Sequence, residues 1–162
     1  MKKIFIILFL FNILTFNAFS IEPDVFIQST VNRASQILSK DISKEEKINQ
    51  LKVIAKDTVD IRGVGFYSLG SARKNLDNNQ IKQYLILFES YFLKSFSSRL
   101  SEYTNPKIEV QGKKVLNENY TIVNSLLIAT SERPEVKIDW RVYTKNKDNP
   151  LIRDLIIEGL SL

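Results

Sequence analysis

The sequence predicts an α+β fold in which N-terminal helices pack on one face of a four-stranded antiparallel sheet. Three observations carry this. Apolar residues recur at three- and four-residue steps as far as Tyr103, the period then changes to two after Asn105-Pro106, and it does not change back. The later strands are separated by short polar turns, which favours an antiparallel meander with one face covered by the helices.

Residues 1–20, "MKKIFIILFLFNILTFNAFS", precede the fold. Lys2 and Lys3, an uncharged apolar run, and Ala18-Phe19-Ser20 with small residues at −3 and −1 read as a secretory signal peptide cleaved before Ile21, with an uncleaved membrane anchor as the alternative. No Cys follows it, which excludes a lipid-modified N-terminus. The remainder, 21–162, is long enough for one domain with a true core. "PDVFIQSTVNRASQILSK" begins with Pro23 and Asp24 and places Phe26, Ala34, Ile37 and Leu38 near one stripe. "SKEEKINQLKVIAKDTVD" opens on a capping box, Ser43-x-x-Glu46, with Ile48, Leu51, Ile54 and Ala55 at helical spacing. The glycines of "IRGVGFYSLGSAR" mark a turn or a tight packing point between helices.

The strongest helix is "DNNQIKQYLILFESYFLKSFSSRLSEY", capped by Asp77-x-x-Gln80. Its stripe is wide and aromatic, including Tyr84, Phe88, Tyr91, Phe92 and Phe96. Such a stripe is either the core face of a long helix or, in part, the wall of a pocket. Strands follow in "KIEVQG", "ENYTIVNSLLIAT", "EVKIDWRVYTK" and "LIRDLIIEGLSL", the third alternating with Val136, Ile138, Trp140 and Val142 on one face.

Composition narrows the chemistry. The chain has no Cys and no His, so neither disulfides nor an imidazole base, nucleophile pair or metal site is available. No calcium-type acidic loop is present. After loss of Lys2 and Lys3 the balance is 21 basic to 18 acidic residues, or +3, with the basic residues scattered and not interleaved with aromatics. Nucleic acid is not implied; a weak attraction to anionic lipid or an acidic partner is. Asp154 and Glu158, four apart in a strand, would sit about 13 Å apart, too far for paired-carboxylate catalysis, which needs about 5–9.5 Å. A structural role follows for both, through Arg141, Arg153, a lysine or backbone N–H groups. No enzyme is expected.

From about Asp60 to Leu162 the chain resembles the MlaC family, the periplasmic phospholipid-binding shuttle of the maintenance-of-lipid-asymmetry pathway, also known as the toluene-tolerance auxiliary component of an ABC transporter. "VDIRGVGFYSLG", "LFESYFLKSFSSRLSEY", "IEVQGKKVLNENYTIVNSLLI", "VKIDWRVY" and "IRDLIIEGLSL" are similar to the family's pieces in the family's order. Asp139-Trp140-Arg141 and Asp154 through Leu162 are the most specific. Phe96 stands where the family usually has tyrosine, Pro150 where it has tryptophan, and Arg153 where it has an aromatic. The family also continues beyond Gly-x-Ser-Leu with an arginine-containing segment and a last helix.

The resemblance implies an apolar cavity between helices and sheet. It also implies a single lipid-binding domain over 21–162 in the periplasm, with phospholipid as cargo and no cofactor. The implied partners are an inner-membrane ABC transporter complex and an outer-membrane lipoprotein complex. The expected lipid-binding residues are Phe88, Tyr91 and Phe92 from the aromatic helix, with Val110, Ile122, Leu126, Ile138, Trp140 and Val142 from the sheet. Two rivals stand beside it: an exported protein–protein interaction module that encloses nothing, and a cone-shaped α+β enzyme using Asp139 or Asp154.

Overall fold

The computed structural model describes residues 20–131 and 133–161, so the expected leader lies almost wholly outside the described residues. Helices α1 (Pro23–Ser39), α2 (Lys44–Thr58), α3 (Ile61–Ser68) and α4 (Asn78–Leu100) come first, with a 3₁₀ turn over Gly70–Asn75. Strands β1 (Ile108–Asn117), β2 (Tyr120–Leu127), β3 (Val136–Tyr143), β4 (Leu151–Ile157) and β5 (Leu160–Ser161) form one antiparallel sheet in the order 1-2-3-4-5. Helices first and sheet second is the predicted arrangement. No described helix is long and apolar enough to cross a membrane.

The caps are made by the residues the sequence offers. Ser43 Oγ accepts from the Glu46 N–H at 3.1 Å, and Asp77 and Gln80 form a complete capping box at 2.9 Å in each direction. Asp60 caps α3 by accepting from the Gly63 N–H at 2.9 Å. The expectation of a turn or packing point at the three glycines resolves into a helix, α3, whose Gly65 is the packing point. A Cβ there would lie 2.6 Å from Phe88 Cδ1, so only a glycine lets α3 approach α4 this closely. Gly65→Val is expected to lower the unfolding free energy by about 1–3 kcal/mol. Urea unfolding checks this, and an unchanged midpoint would refute the close approach.

The sheet has five strands where four were expected. The segment read as one strand to the C-terminus breaks at Glu158 and Gly159, whose φ values of 49° and 84° are those of a two-residue hairpin turn. Beyond it Leu160 and Ser161 fold back on Ile157 and Ile156.

Helix α1 covers one sheet face. Ile27 and Val31 pack with Val123, Ile138, Trp140, Val142 and Ile152, all buried. The aromatic helix α4 packs instead on α2 and α3, so α1 rather than α4 is the sheet's principal cover. At the sheet rim the Gln28 side chain docks against β1, accepting from the Val110 N–H at 3.1 Å and reaching the Ile108 carbonyl at 3.5 Å.

Candidate functional site

The apolar interior is divided. One cluster lies between α1 and the sheet, described above. A second joins α1 to α2 through Ile37, Leu38, Leu51 and Ile54. The third lies among α2, α3 and α4, where Ala55, Ile61 and Leu93 are flanked by Phe88, Phe92 and Phe96. Val59, at the α2–α3 junction, packs against both the sheet cluster and the aromatic one. Its backbone also bridges to Ile152 of β4, so the seam between the two clusters is fixed to the sheet at this residue.

Along α4 the rings stand one turn apart. Centroid separations are 5.8 Å for Tyr84–Phe88, 6.1 Å for Phe88–Phe92 and 5.2 Å for Phe92–Phe96. This i, i+4 ladder is only half-buried. It therefore presents aromatic surface on one side while its other side closes the α2–α3–α4 cluster.

The nine residues expected to line a cavity do not share one surface. Ile138, Trp140 and Val142 project from the α1-facing side of the sheet and are buried there, with half-buried Val110 packed against the same cluster. Trp140 stands opposite Val123, and its indole N–H donates to Ser125 Oγ at 2.8 Å, while Ser125 in turn donates to the Ile138 carbonyl at 3.0 Å. Ile122 and Leu126 alternate with Val123 and Ser125, so the pleat turns them to the opposite face. Phe88 and Phe92 belong to the ladder, and Tyr91 lies on the solvent side of α4, 71% exposed. Two open surface depressions of about 580 and 330 Å³ sit on α1 and its junction with α2, around Gln36 and Lys40, and touch none of the nine.

The polar residues of the hallmark C-terminal segment prove to be a clasp. Asp154 pairs with Arg141 at 3.3 Å and accepts from Ser161 Oγ at 2.9 Å across the β4–β5 hairpin. Glu158 accepts the Lys137 N–H at 2.6 Å. Both acids are occupied in holding the hairpin. Asp139, the other acid considered for catalysis, accepts from Asn124 Nδ2 at 2.8 Å.

A second polar assembly was not legible in the sequence. Arg153 donates from Nε to Asp60 at 2.7 Å and from Nη1 to the Tyr120 hydroxyl at 2.6 Å, with its guanidinium 3.6 Å from the Tyr143 ring centroid. Burial works against its charge, yet the bonds to Tyr120 and Asp60 hold its pKa above the ordinary arginine value. A planar cation thus lies against the Tyr143 ring, held in place by Asp60 and Tyr120. The sequence offers Arg153 as a partner for Asp154 or Glu158, whereas the structure pairs it with Asp60.

Comparison with known proteins points one way. The family model described as MlaC protein matches residues 28–162. No curated protein matches the sequence. Among solved structures, a phospholipid-binding protein from Ralstonia solanacearum, determined in complex with a phospholipid, superposes with a TM-score of 0.71. It is 14% identical, and the match covers 87% of this chain and 80% of that one.

Proposed function

This chain belongs to the MlaC family, and from that premise we propose that it is a periplasmic carrier that holds phospholipid acyl chains and passes lipid between membrane complexes. The family match over nearly the whole described fold is the observation that carries this reading. The likeness in fold to a protein determined with phospholipid bound supports it.

The physical demand on such a carrier is severe. Two acyl chains hold on the order of 30 methylenes, each worth roughly 0.8 kcal/mol when kept from water. The tails must therefore lie in surroundings nearly as apolar as a bilayer. The seam at Val59 meets this demand best, because it joins the sheet cluster to the aromatic ladder. On this proposal Ile138, Trp140 and Val142 form one wall, with Val110 at its end, and Phe88 and Phe92 form the other. Tails would enter where the α2–α3–α4 layer meets the sheet at Val59, so binding requires these layers to part there. Ile122, Leu126 and Tyr91 face elsewhere and would meet lipid only outside this seam. No step requires covalent chemistry, in keeping with a chain that has neither His nor Cys. Docking to an inner-membrane transporter complex and an outer-membrane lipoprotein complex is part of the same proposal, carried by family membership.

Trp140 is the only tryptophan, which makes the test direct. Phospholipid with brominated acyl chains is expected to quench its fluorescence on loading, and protein isolated from its native compartment is expected to yield phospholipid to organic solvent. Protein that arrives lipid-free and takes none from vesicles would refute the carrier and leave the interaction-module reading. Loading without quenching would refute the seam alone.

A further inference from the structure

The charge of this protein is unevenly placed. Residues 21–60 carry six basic and seven acidic side chains, and residues 101–162 carry nine of each. The α3–α4 hairpin, residues 61–100, carries six basic residues (Arg62, Arg73, Lys74, Lys82, Lys94 and Arg99) against Asp77 and Glu89, a net +4. Every one of the six is exposed, and none is paired with an acid among the described residues. Of the two acids, Glu89 is held by Lys56 of α2 at 3.7 Å. The scattered basic residues of the sequence thus leave all of the net charge on one supersecondary unit.

The same unit exposes apolar surface. Leu87 and Tyr91 are 70% and 71% exposed, and with Gln83, Ser90 and Lys94 they recur at positions that share one face of α4. Ile86 flanks this face at 61%. On α3, Phe66 and Tyr67 are exposed, with Arg73 5.3 Å from the Phe66 centroid. Tyrosine, phenylalanine and leucine interleaved with unpaired Lys and Arg on a helical surface is the composition that settles at a lipid headgroup boundary.

We propose that the α3–α4 hairpin docks the protein on the surface of an anionic bilayer, with Leu87 and Tyr91 entering the headgroup layer, Lys94 of the same face over acidic lipid, and the net positive charge of the hairpin supplying the wider attraction. Unpaired positive charge supplies attraction along the surface, and the exposed rings and leucine add an apolar term that salt does not screen. This goes beyond the carrier reading, because a docked protein need hold no tails.

The test uses the chain from Ile21, which contains every described element, and sedimentation with vesicles. Binding to phosphatidylcholine–phosphatidylglycerol vesicles is expected to exceed binding to pure phosphatidylcholine by at least about tenfold and to fall on raising salt toward molar levels. Leu87→Ser with Tyr91→Ser, and separately Lys74→Glu with Lys82→Glu and Lys94→Glu, are each expected to weaken it several-fold with circular dichroism unchanged. Equal binding to both vesicle types, or none, overturns the proposal. So does binding that the Leu87–Tyr91 variant leaves intact while soluble poly-glutamate competes fully, since that assigns the charge to an acidic protein surface. Quenching of Trp140 by brominated lipid is a separate readout, so the docking and the carrier readings fail independently.

Discussion

Trp140→Ala is expected to cost about 3–5 kcal/mol of unfolding free energy, the largest effect of any single substitution considered for this chain. The indole is 9% exposed and packs in the cluster with Ile27, Val31 and Val142, so its loss leaves a cavity that the sheet and α1 close only in part. It also strips Ser125 Oγ, 4% exposed, of its donor. Denaturant unfolding followed by circular dichroism measures the change. Trp140→Phe separates the two contributions, since it restores most of the volume but not the N–H. A loss under about 1 kcal/mol for the alanine variant would contradict the packing described.

Asp60 is the second position of large effect. Its carboxylate caps α3 through the Gly63 N–H and neutralises Arg153, whose guanidinium lies over Tyr143. Asp60→Ala removes a cap worth about 0.5–2 kcal/mol and leaves a half-buried cation without its counter-charge. The pair is partly open to solvent, with side chains 18% and 30% exposed, so its screened contribution is smaller than that of a fully buried bridge. A total loss of about 2–4 kcal/mol is expected. Asp60→Asn keeps a capping oxygen and should recover part of that loss. A cycle with Arg153→Ala isolates the pairing. Equal stabilities for Asp60→Ala and the parent protein would show that the assembly is not formed.

The sequence made three of the helices and four of the strands readable because their periods are clean. Helix α4 announces itself through Asp77, Gln80 and the four-residue steps from Tyr84 to Phe96. Strand β3 does so through the strict alternation around Trp140. Helix α3 was hidden because glycine ordinarily signals a turn, and only the approach of Phe88 to Gly65 makes a glycine-rich helix favourable. Strand β5 was hidden because its existence depends on two adjacent residues adopting positive φ.

The arrangement of the nine expected residues was legible only in part. Ile138, Trp140 and Val142 share a face by the parity of β3 alone. Ile122 and Leu126 match them as apolar residues of a strand, but the pairing of Val123 with Trp140 decides which side each occupies, and that register is set by the chain reversal between strands. Nor does an aromatic stripe declare its neighbour. Tertiary packing put α4 against α2 and α3, and left the sheet to α1.

The contact between Gln28 and β1 bears on how molecules of this kind avoid one another. A sheet rim with free N–H and C=O groups is a template on which a foreign chain can zip, the first step toward fibrils and insoluble deposits. By offering its amide to Val110 and Ile108, Gln28 imitates one residue of a missing strand and occupies that stretch. Self-association by strand addition would then have to begin nearer the hairpin tip, where Glu22 and Asp24 hold Lys113 and the exposed Lys114 supplies repulsion between like molecules.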